Sequence, residues 1–269
     1  MGGPAPADRL AMASQGELLR IAADAADAAG VLLRDRFGRP DPDVRAKTTP
    51  TDLVSEADHA AEDAIRGLLA DRRPGDGVLG EETGDHPGHS GLRWVIDPLD
   101  GTVNFLFGIP HWAVSVACED PGGTVAGVVR DPLRDETFAA SRDGPATLNG
   151  EPIAPSGGDG LATSLVATGF SYDATVRARQ AEVAGRVLPA VRDLRRFGSA
   201  ALDLAWTACG RYDAFYERGL KRWDRIAGAL ICQRAGLALR ELPAAAGIPA
   251  GLLAAPEALA EDLEALVAG

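Results

Sequence analysis

The chain has 269 residues, 46% hydrophobic and 25% charged, so it is long enough to bury a large core and does not have the composition of a disordered chain. Its formal net charge of −12 argues against direct binding to nucleic acid or to an anionic membrane, because such binding depends on Lys and Arg neutralising phosphates. The N-terminus lacks a secretory pattern and no later run is apolar enough to span a bilayer, so we expect a cytoplasmic protein that does not bind membranes.

Two long helices are predicted in the first part of the chain. Residues 14–17 have the form of a capping box, and apolar residues at helical spacing follow as far as about Phe37. A second capping-box-like start at residues 55–58 precedes a helix that we expect to end near residues 73–75, at Pro74.

Short apolar strands are predicted next. Residues 77–83 indicate a strand that opens into a loop with two adjacent acids, and residues 85–91 are predicted to form a solvent loop. The run that starts at Trp94 predicts a buried strand, which residues 97–99 leave as a turn. Further strands at 111–118, 124–129 and 136–140 and an Asn149-Gly150 hairpin predict an antiparallel sheet covered by the two helices.

From residue 161 onward, short strands alternate with helices, which is typical of a smaller α/β half. We therefore expect an N-terminal α+β half, residues 1–158, and a C-terminal α/β half, residues 159–269. Strands are predicted at 164–168, 193–197 and 214–217, and helices at 174–188, 200–209, 225–235 and 256–267.

The segment Asp97-Pro98-Leu99-Asp100-Gly101-Thr102 places two carboxylates and a hydroxyl directly after a buried strand. The backbone amides that follow offer donors to an anion, and Mg²⁺ is commonly shared between carboxylates and a substrate phosphate. These six residues taken alone are equally consistent with an Asp-rich surface turn. Glu81, Glu217 and Asp224 also lie where predicted strands or helices begin or end, and acids at such ends can converge on one crevice.

Three segments together are similar to the signatures of the inositol monophosphatase family of Mg²⁺-dependent, Li⁺-sensitive phosphatases. They are GEET at 80–83, WVIDPLDGTVNF at 94–105 and WDRIAGALICQRAG at 223–236, and FGSAALDLAW at 197–206 also fits. The resemblance covers nearly the whole chain from Lys47 onward. It implies an α+β fold, the layered αβαβα sandwich of this family, a homodimer, and two or three Mg²⁺ ions in each site.

The resemblance also implies a role for each matching residue. Glu81, Asp97 and the Leu99 carbonyl would hold the first metal, and Asp97, Asp100 and Asp224 the second. Glu81 and Thr102 would orient the attacking water, with Asp58 supporting Thr102. Substrate would be bound by the amides of Gly101 and Thr102 and, at its hydroxyls, by Asp100, the Ala200 backbone, Glu217 and Asp224. Lys47 and Asp52 match accessory positions near the site.

Two departures from the family pattern stand out. Arg225 and Ile226 follow Asp224 where the family usually has small residues, which could change the packing at the rim of the site. Residues 237–250 are few and rich in Ala, Pro and Gly, so a strand or hairpin of the second half could be trimmed there.

Several functions remain open from the sequence. The resemblance favours a small polyol monophosphate, with myo-inositol 1-phosphate first and histidinol phosphate or another small ester as alternatives. A regulatory binding protein that keeps the fold is the alternative from a different class, because some bacterial relatives bind the transcription machinery. A phosphatase of the haloacid dehalogenase type is disfavoured, because two residues separate Asp97 from Asp100 where that chemistry needs one.

Overall fold

Helices and sheets stack in five layers in the computed structural model, which describes residues 14–39, 44–47, 53–245 and 247–268. Two helices cover one face of an eight-stranded sheet, and two further helices lie between that sheet and a five-stranded one. A last helix pair covers the outer face of the second sheet. This order is the predicted αβαβα sandwich of the α+β class, so the expected fold is confirmed.

Both early helices are confirmed. Helix α1 spans Gln15–Arg36, and its N-cap Ser14 accepts a hydrogen bond from the Glu17 amide. Helix α2 spans Glu56–Arg72. Between them, strands β1 (Arg45–Ala46) and β2 (Leu53–Val54) form a small antiparallel pair.

The first sheet has the strand order β10-β9-β8-β7-β6-β5-β3-β4, and every neighbouring pair is antiparallel except β3 and β5. Asn149 and Gly150 both have positive φ in the turn between its last two strands, which confirms the predicted hairpin. Its strands are β3 (Gly77–Gly80), β4 (Gly84–His86), β5 (Arg93–Asp100), β6 (Ala113–Asp120), β7 (Gly123–Asp131), β8 (Glu136–Ser141), β9 (Thr147–Leu148) and β10 (Glu151–Pro152).

Two predictions for this sheet were wrong. The segment expected as a solvent loop at 85–91 begins as strand β4, because its backbone pairs with β3 through the tight turn at 81–83. Residues 97–99 do not leave strand β5 as a turn; the strand runs to Asp100, with an irregular register between Asp97 and Asp100. The short helix α3 (Thr102–Leu106) begins two residues later.

The second sheet has the order β12-β11-β13-β15-β14, with the first three strands parallel. Residues 237–250 include strand β14, which pairs with β15, so the described residues there keep a hairpin. The strands are β11 (Leu165–Thr168), β12 (Asp193–Arg195), β13 (Ala214–Arg218), β14 (Ala238–Leu242) and β15 (Gly251–Ala255). The helices are α4 (Ala174–Val187), α5 (Ala200–Ala208), α6 (Arg222–Ala235) and α7 (Glu257–Val267).

Three apolar clusters join the layers. Helices α1 and α2 pack on the first sheet around the fully buried Trp94 and Trp112. Helices α5 and α6 fill the space between the two sheets, where Leu202 and Ile231 are fully buried.

None of the helices among the described residues is long and apolar enough to span a membrane. The boundary between the two halves at 158/159 stays a prediction.

Candidate active site

The parallel pairing of β3 with β5 brings the first two acids together. Gly80 pairs with Ile96, and the Glu81 amide donates to the Ile96 carbonyl oxygen at 3.3 Å, so Glu81 and Asp97 follow at the same level. The first turn of α6 adds Asp224. One carboxylate oxygen from each of these three residues lies within 4.8 Å of the other two.

Burial and mutual repulsion dominate the electrostatics of this cluster. Asp97 is 2% exposed, and burial raises its pKa well above the usual value, as do the neighbouring charges of Glu81, Asp100 and Asp224. Burial also raises the pKa of Asp224, with added repulsion from Asp100 and Glu81. Backbone amides orient both side chains: Leu99 N donates to Asp97 Oδ1 at 3.1 Å, and Lys221 N donates to Asp224 Oδ2 at 2.6 Å.

Asp100 lines the cavity beside the cluster, with one oxygen held by the start of α5. Its Oδ2 accepts from the Ser199 hydroxyl at 2.6 Å and from the Ala201 amide at 2.7 Å. Burial raises the pKa of Asp100 to about 6, although these hydrogen bonds favour its ionised form. The start of α5 therefore orients Asp100 through Oδ2, and Oδ1 takes part in neither of these two hydrogen bonds.

Thr102 follows Gly101, whose φ of 100° lies in the left-handed region. A Cβ on Gly101 would come within 3.1 Å of the His111 carbonyl oxygen and 3.2 Å of Trp112, so glycine suits both the backbone and the space. The Thr102 hydroxyl donates to Asp58 Oδ1 at 2.9 Å and lies 3.0 Å from the Leu99 carbonyl oxygen.

Asp58 is a buried acid with two functions in the fold. Its Oδ2 accepts from the amide and the hydroxyl of Ser55, at 2.9 and 2.6 Å, which completes the capping box of α2. Its other oxygen accepts a hydrogen bond from the Thr102 hydroxyl. Burial raises the pKa of Asp58, although the hydrogen bonds from Ser55 and Thr102 oppose this shift.

Glu217 lines the cavity beyond Asp100, near the end of β13. Burial raises its pKa to about 8, and the charge of Asp100 adds to the shift. Gly169 follows the adjacent strand β11, and a Cβ there would lie 2.2 Å from the Glu217 carboxylate. A glycine at this position makes room for the acid.

Lys47 contacts the outer side of the cluster. Its Nζ lies 2.7 Å from Glu81 Oε1 and 2.6 Å from Glu82 Oε1. Burial lowers the pKa of Lys47, but its ion pairs with these acids outweigh burial and raise it above its usual value. Asp52, predicted as an accessory residue, lies outside the described residues.

Most of the predicted residues line one cavity. Asp58 and Lys47 do not line it; they contact the lining residues Thr102 and Glu81. The residues predicted from the sequence that line it are Glu81, Asp97, Leu99, Asp100, Gly101, Thr102, Ala200, Glu217 and Asp224.

Sequence reasoning missed Arg196, Gly169 and Tyr172 in the lining of this cavity. Arg196 is the single basic side chain among the lining residues within the described ranges. The available signal was its place near the end of the strand predicted at 193–197, directly before the FGSAALDLAW segment. Arg225, a departure from the family pattern, pairs with Glu241 of β14 at 2.8 Å and does not line the cavity.

The arrangement suits a hard cation. Oxygen donors from Glu81, Asp97 and Asp224 converge, and carboxylate oxygens are the ligands that Mg²⁺ and Ca²⁺ prefer. Burial and, after it, the neighbouring acids raise the pKa values of Asp97 and Asp224, and a bound cation would favour their ionised forms. The acidic cluster could therefore bind a metal.

Comparisons with known proteins agree with this chemistry. The sequence profile of the inositol monophosphatase family matches residues 14–262. The Inositol-1-monophosphatase SuhB of Mycobacterium tuberculosis is 43% identical over 238 residues, which cover 85% of this chain and 82% of the relative. The Nus factor SuhB of Pseudomonas aeruginosa is 43% identical over 229 residues, with 81% and 83% covered. The crystal structure of the extragenic suppressor protein suhB from Bartonella henselae superposes with a TM-score of 0.84 at 34% identity, covering 92% of this chain and 97% of that one.

Proposed function

Since this chain belongs to the inositol monophosphatase family and is a phosphoric monoester hydrolase, we propose that it hydrolyses a small polyol monophosphate with the help of Mg²⁺. The first candidate substrate is myo-inositol 1-phosphate. The observation that carries the proposal is the convergence of Glu81, Asp97 and Asp224 within 4.8 Å, beside the Thr102–Asp58 hydrogen bond.

The metal ligands in this proposal are Glu81, Asp97, the Leu99 carbonyl, Asp100 and Asp224, which would hold two or three Mg²⁺ ions. When bound, Mg²⁺ supplies positive charge to the phosphate and lowers the pKa of water. The chain supplies orientation. The Leu99 and Lys221 amides and the start of α5 each hold one carboxylate in place, which supports a preformed set of ligands.

Thr102 and Asp58 orient the attacking water in this proposal. Asp58 Oδ1 and the Leu99 carbonyl oxygen lie 2.9 and 3.0 Å from the Thr102 hydroxyl oxygen, and we assign its proton to Asp58. The lone pairs of the hydroxyl can then accept a hydrogen bond from a water in the cavity. Glu81 accepts a second hydrogen bond from the same water and takes its proton as the water oxygen bonds to phosphorus. The P–O bond to the alcohol breaks, and the alcohol oxygen takes a proton from solvent water. Hydrolysis then needs no covalent intermediate on the protein.

The substrate lies between the start of α3 and the second sheet. The amides of Gly101 and Thr102 receive the phosphate, since the first amides of a helix lack partners within it. Asp100, the Ala200 backbone, Glu217 and Asp224 contact the hydroxyls of the alcohol. All of these residues line the same cavity, which supports the assignment.

A binding role is the second candidate, because relatives at 40–43% identity carry the name Nus factor SuhB. In that case the chain would bind a protein partner in addition to its substrate. Direct binding to nucleic acid is not expected, given the net charge of −12.

We also propose a cytoplasmic homodimer. Three large apolar residues, Phe107, Ile109 and Phe197, are 73%, 47% and 42% exposed. Asn104 links the two segments, because its Nδ2 donates to the carbonyl oxygens of His111 and Phe197. A second copy of the chain would bury this apolar surface. Sedimentation at several concentrations tests the dimer.

Phosphate release from a panel of esters tests the activity. The panel contains myo-inositol 1-phosphate, histidinol phosphate, fructose 1,6-bisphosphate and a nucleoside 3′-phosphate, each with Mg²⁺, with EDTA, and with Mg²⁺ and Li⁺. We expect the fastest turnover of inositol 1-phosphate with Mg²⁺, loss with EDTA and inhibition by Li⁺. Faster turnover of another ester would correct the substrate, and no turnover of any ester would overturn the proposal.

A further inference from the structure

We propose that Glu62 is a positioning residue for the metal ligand Glu81, an inference that rests on the function proposed above. Glu62 lies in α2, is fully buried, and does not line the cavity. Its carboxylate faces the loop that follows β3, where Glu81 is located.

The Glu62 carboxylate binds the two residues that follow Glu81. Its Oε2 accepts from the Glu82 amide at 2.8 Å, and its Oε1 accepts from the Thr83 amide at 3.1 Å and from the Thr83 hydroxyl. Arg66 donates from Nε to Glu62 Oε1 at 2.8 Å and from Nη2 to the Gly84 carbonyl oxygen at 3.0 Å. Residues 82, 83 and 84 are therefore held by one turn of α2.

The residue before Glu81 is adapted to the same contact. A Cβ on Gly80 would lie 2.3 Å from Glu62 Oε1, so only glycine lets the carboxylate approach the strand. The Glu81 amide donates to the Ile96 carbonyl oxygen. With the backbone held on both sides, Glu81 is left with its side chain directed into the cavity.

Charge is essential to this arrangement, because every group that contacts the Glu62 carboxylate is a donor. Burial raises the pKa of Glu62, but the hydrogen bonds from Thr83, Glu82 and Arg66 outweigh burial and keep it below its usual value. A glutamine would have the same shape, yet its NH₂ group would face a donor on whichever side it lies. Glu62→Gln therefore loosens the loop without opening a cavity.

Asp76 provides a matched control at the other end of β3. Its side chain is also buried and accepts hydrogen bonds from Arg73, Ser90 and the Trp94 indole. None of the metal ligands proposed above is among the residues that hydrogen-bond to Asp76 in the described part of the chain. Asp76→Asn removes a buried charge of the same kind, so it reports the cost to stability alone.

The test is a titration of the metal-free protein with Mn²⁺, in which electron paramagnetic resonance measures free Mn²⁺ without substrate. We expect Glu62→Gln to weaken Mn²⁺ binding about 10–100-fold, as is typical when a residue that orients a ligand is lost, and Asp76→Asn to change it less than about twofold. Both variants should have a lower Tm. At saturating Mg²⁺, Glu62→Gln should keep a kcat within a few fold of the original enzyme.

Equal Mn²⁺ affinity in Glu62→Gln and the original protein would overturn the proposal, as would equal weakening in both variants. If Glu62→Gln does not fold, Thr83→Val removes one donor to Glu62, and unchanged Mn²⁺ affinity in that variant would have the same consequence. An original protein that binds Mn²⁺ but turns over no ester contradicts the proposed function and leaves the role of Glu62 to the titration. An original protein that binds no Mn²⁺ contradicts both.

Discussion

Two groups of acids in this protein have opposite electrostatics. At the edge of the first sheet, Glu62 and Asp76 are each paired with an arginine, and their pKa values lie below the usual range because these hydrogen bonds outweigh burial. In the cavity, Asp97, Asp100 and Asp224 have no ion pair with any Lys or Arg in the described part of the chain, and burial raises their pKa values.

The contrast separates acids whose charge is balanced by an arginine from the acids that, in the function proposed above, would bind the metal. A buried charge is expensive unless it is paired, so unpaired acids that converge on one cavity lower the stability of the metal-free fold. Functional sites commonly carry such a cost. The divalent cation that we propose would supply the positive charge that balances these acids.

Asp97→Asn should have the largest effect, because it removes the acid at the centre of the cluster. We expect activity to fall at least about 1,000-fold, since both metal positions lose a ligand. The metal-free variant should be more stable by ~1 kcal/mol, or about 2–4 °C in Tm, because a repelled buried charge is gone. Phosphate release and thermal unfolding in EDTA measure the two effects. A variant with normal activity would remove Asp97 from the site.

Thr102→Val tests the hydroxyl that faces Asp58. Without it, the water loses one acceptor and Asp58 loses one donor, so we expect kcat to fall about 100-fold. Thr102→Ser is the control, since it keeps the hydroxyl, and it should retain most of the activity. Equal rates for the Val and Ser variants would show that the hydroxyl has no part in the reaction.

The stability that the metal adds to the fold should depend on pH. Asp100 and Glu217 have raised pKa values, about 6 and about 8, so they stabilise the metal-free fold below about pH 4 and lose this contribution as pH rises through those values. Mg²⁺ needs ionised ligands. A fixed Mg²⁺ concentration equal to 100 times its Kd at pH 8 adds ~2.7 kcal/mol there, about 5–10 °C in Tm over EDTA, and the same concentration should add less near pH 5.5, where its Kd is higher. A gain that shrinks with pH would contradict the assignment.

Arg196→Ala has the smallest expected effect. Arg196 is the basic residue that lines the acidic cavity, and its charge lowers the pKa of Glu217. We expect KM for the phosphate ester to rise about fivefold with little change in kcat, as the loss of about 1 kcal/mol of attraction requires. Arg195→Ala is the control, because Arg195 pairs with Asp193 and does not line the cavity. Equal effects of the two variants would exclude a specific role for Arg196.

The helices and the acid motif could be predicted from the sequence because they depend on local signals. Capping residues at Ser14 and Ser55 mark the helix starts, and the GEET and WVIDPLDGT segments lie at the ends of apolar runs. Strand β4 could not be predicted, because its three residues are polar or glycine and acquire their structure from pairing with β3.

The surroundings of the site depended on contacts between distant residues. The proposed role of Glu62 follows from its hydrogen bonds to Glu82 and Thr83, twenty and twenty-one positions away. The space for Glu217 follows from Gly169, which comes directly after a neighbouring strand. No periodicity or spacing in the sequence reports such contacts. Arg196 likewise reaches the cavity only because β12 ends beside the start of α5.

Crystals grown with Mn²⁺ give the most direct test of the central claim, that Glu81, Asp97 and Asp224 form a divalent cation site. The account predicts a strong peak in the anomalous difference map between these three carboxylates. A map in which Mn²⁺ binds elsewhere and leaves this cluster empty would contradict it.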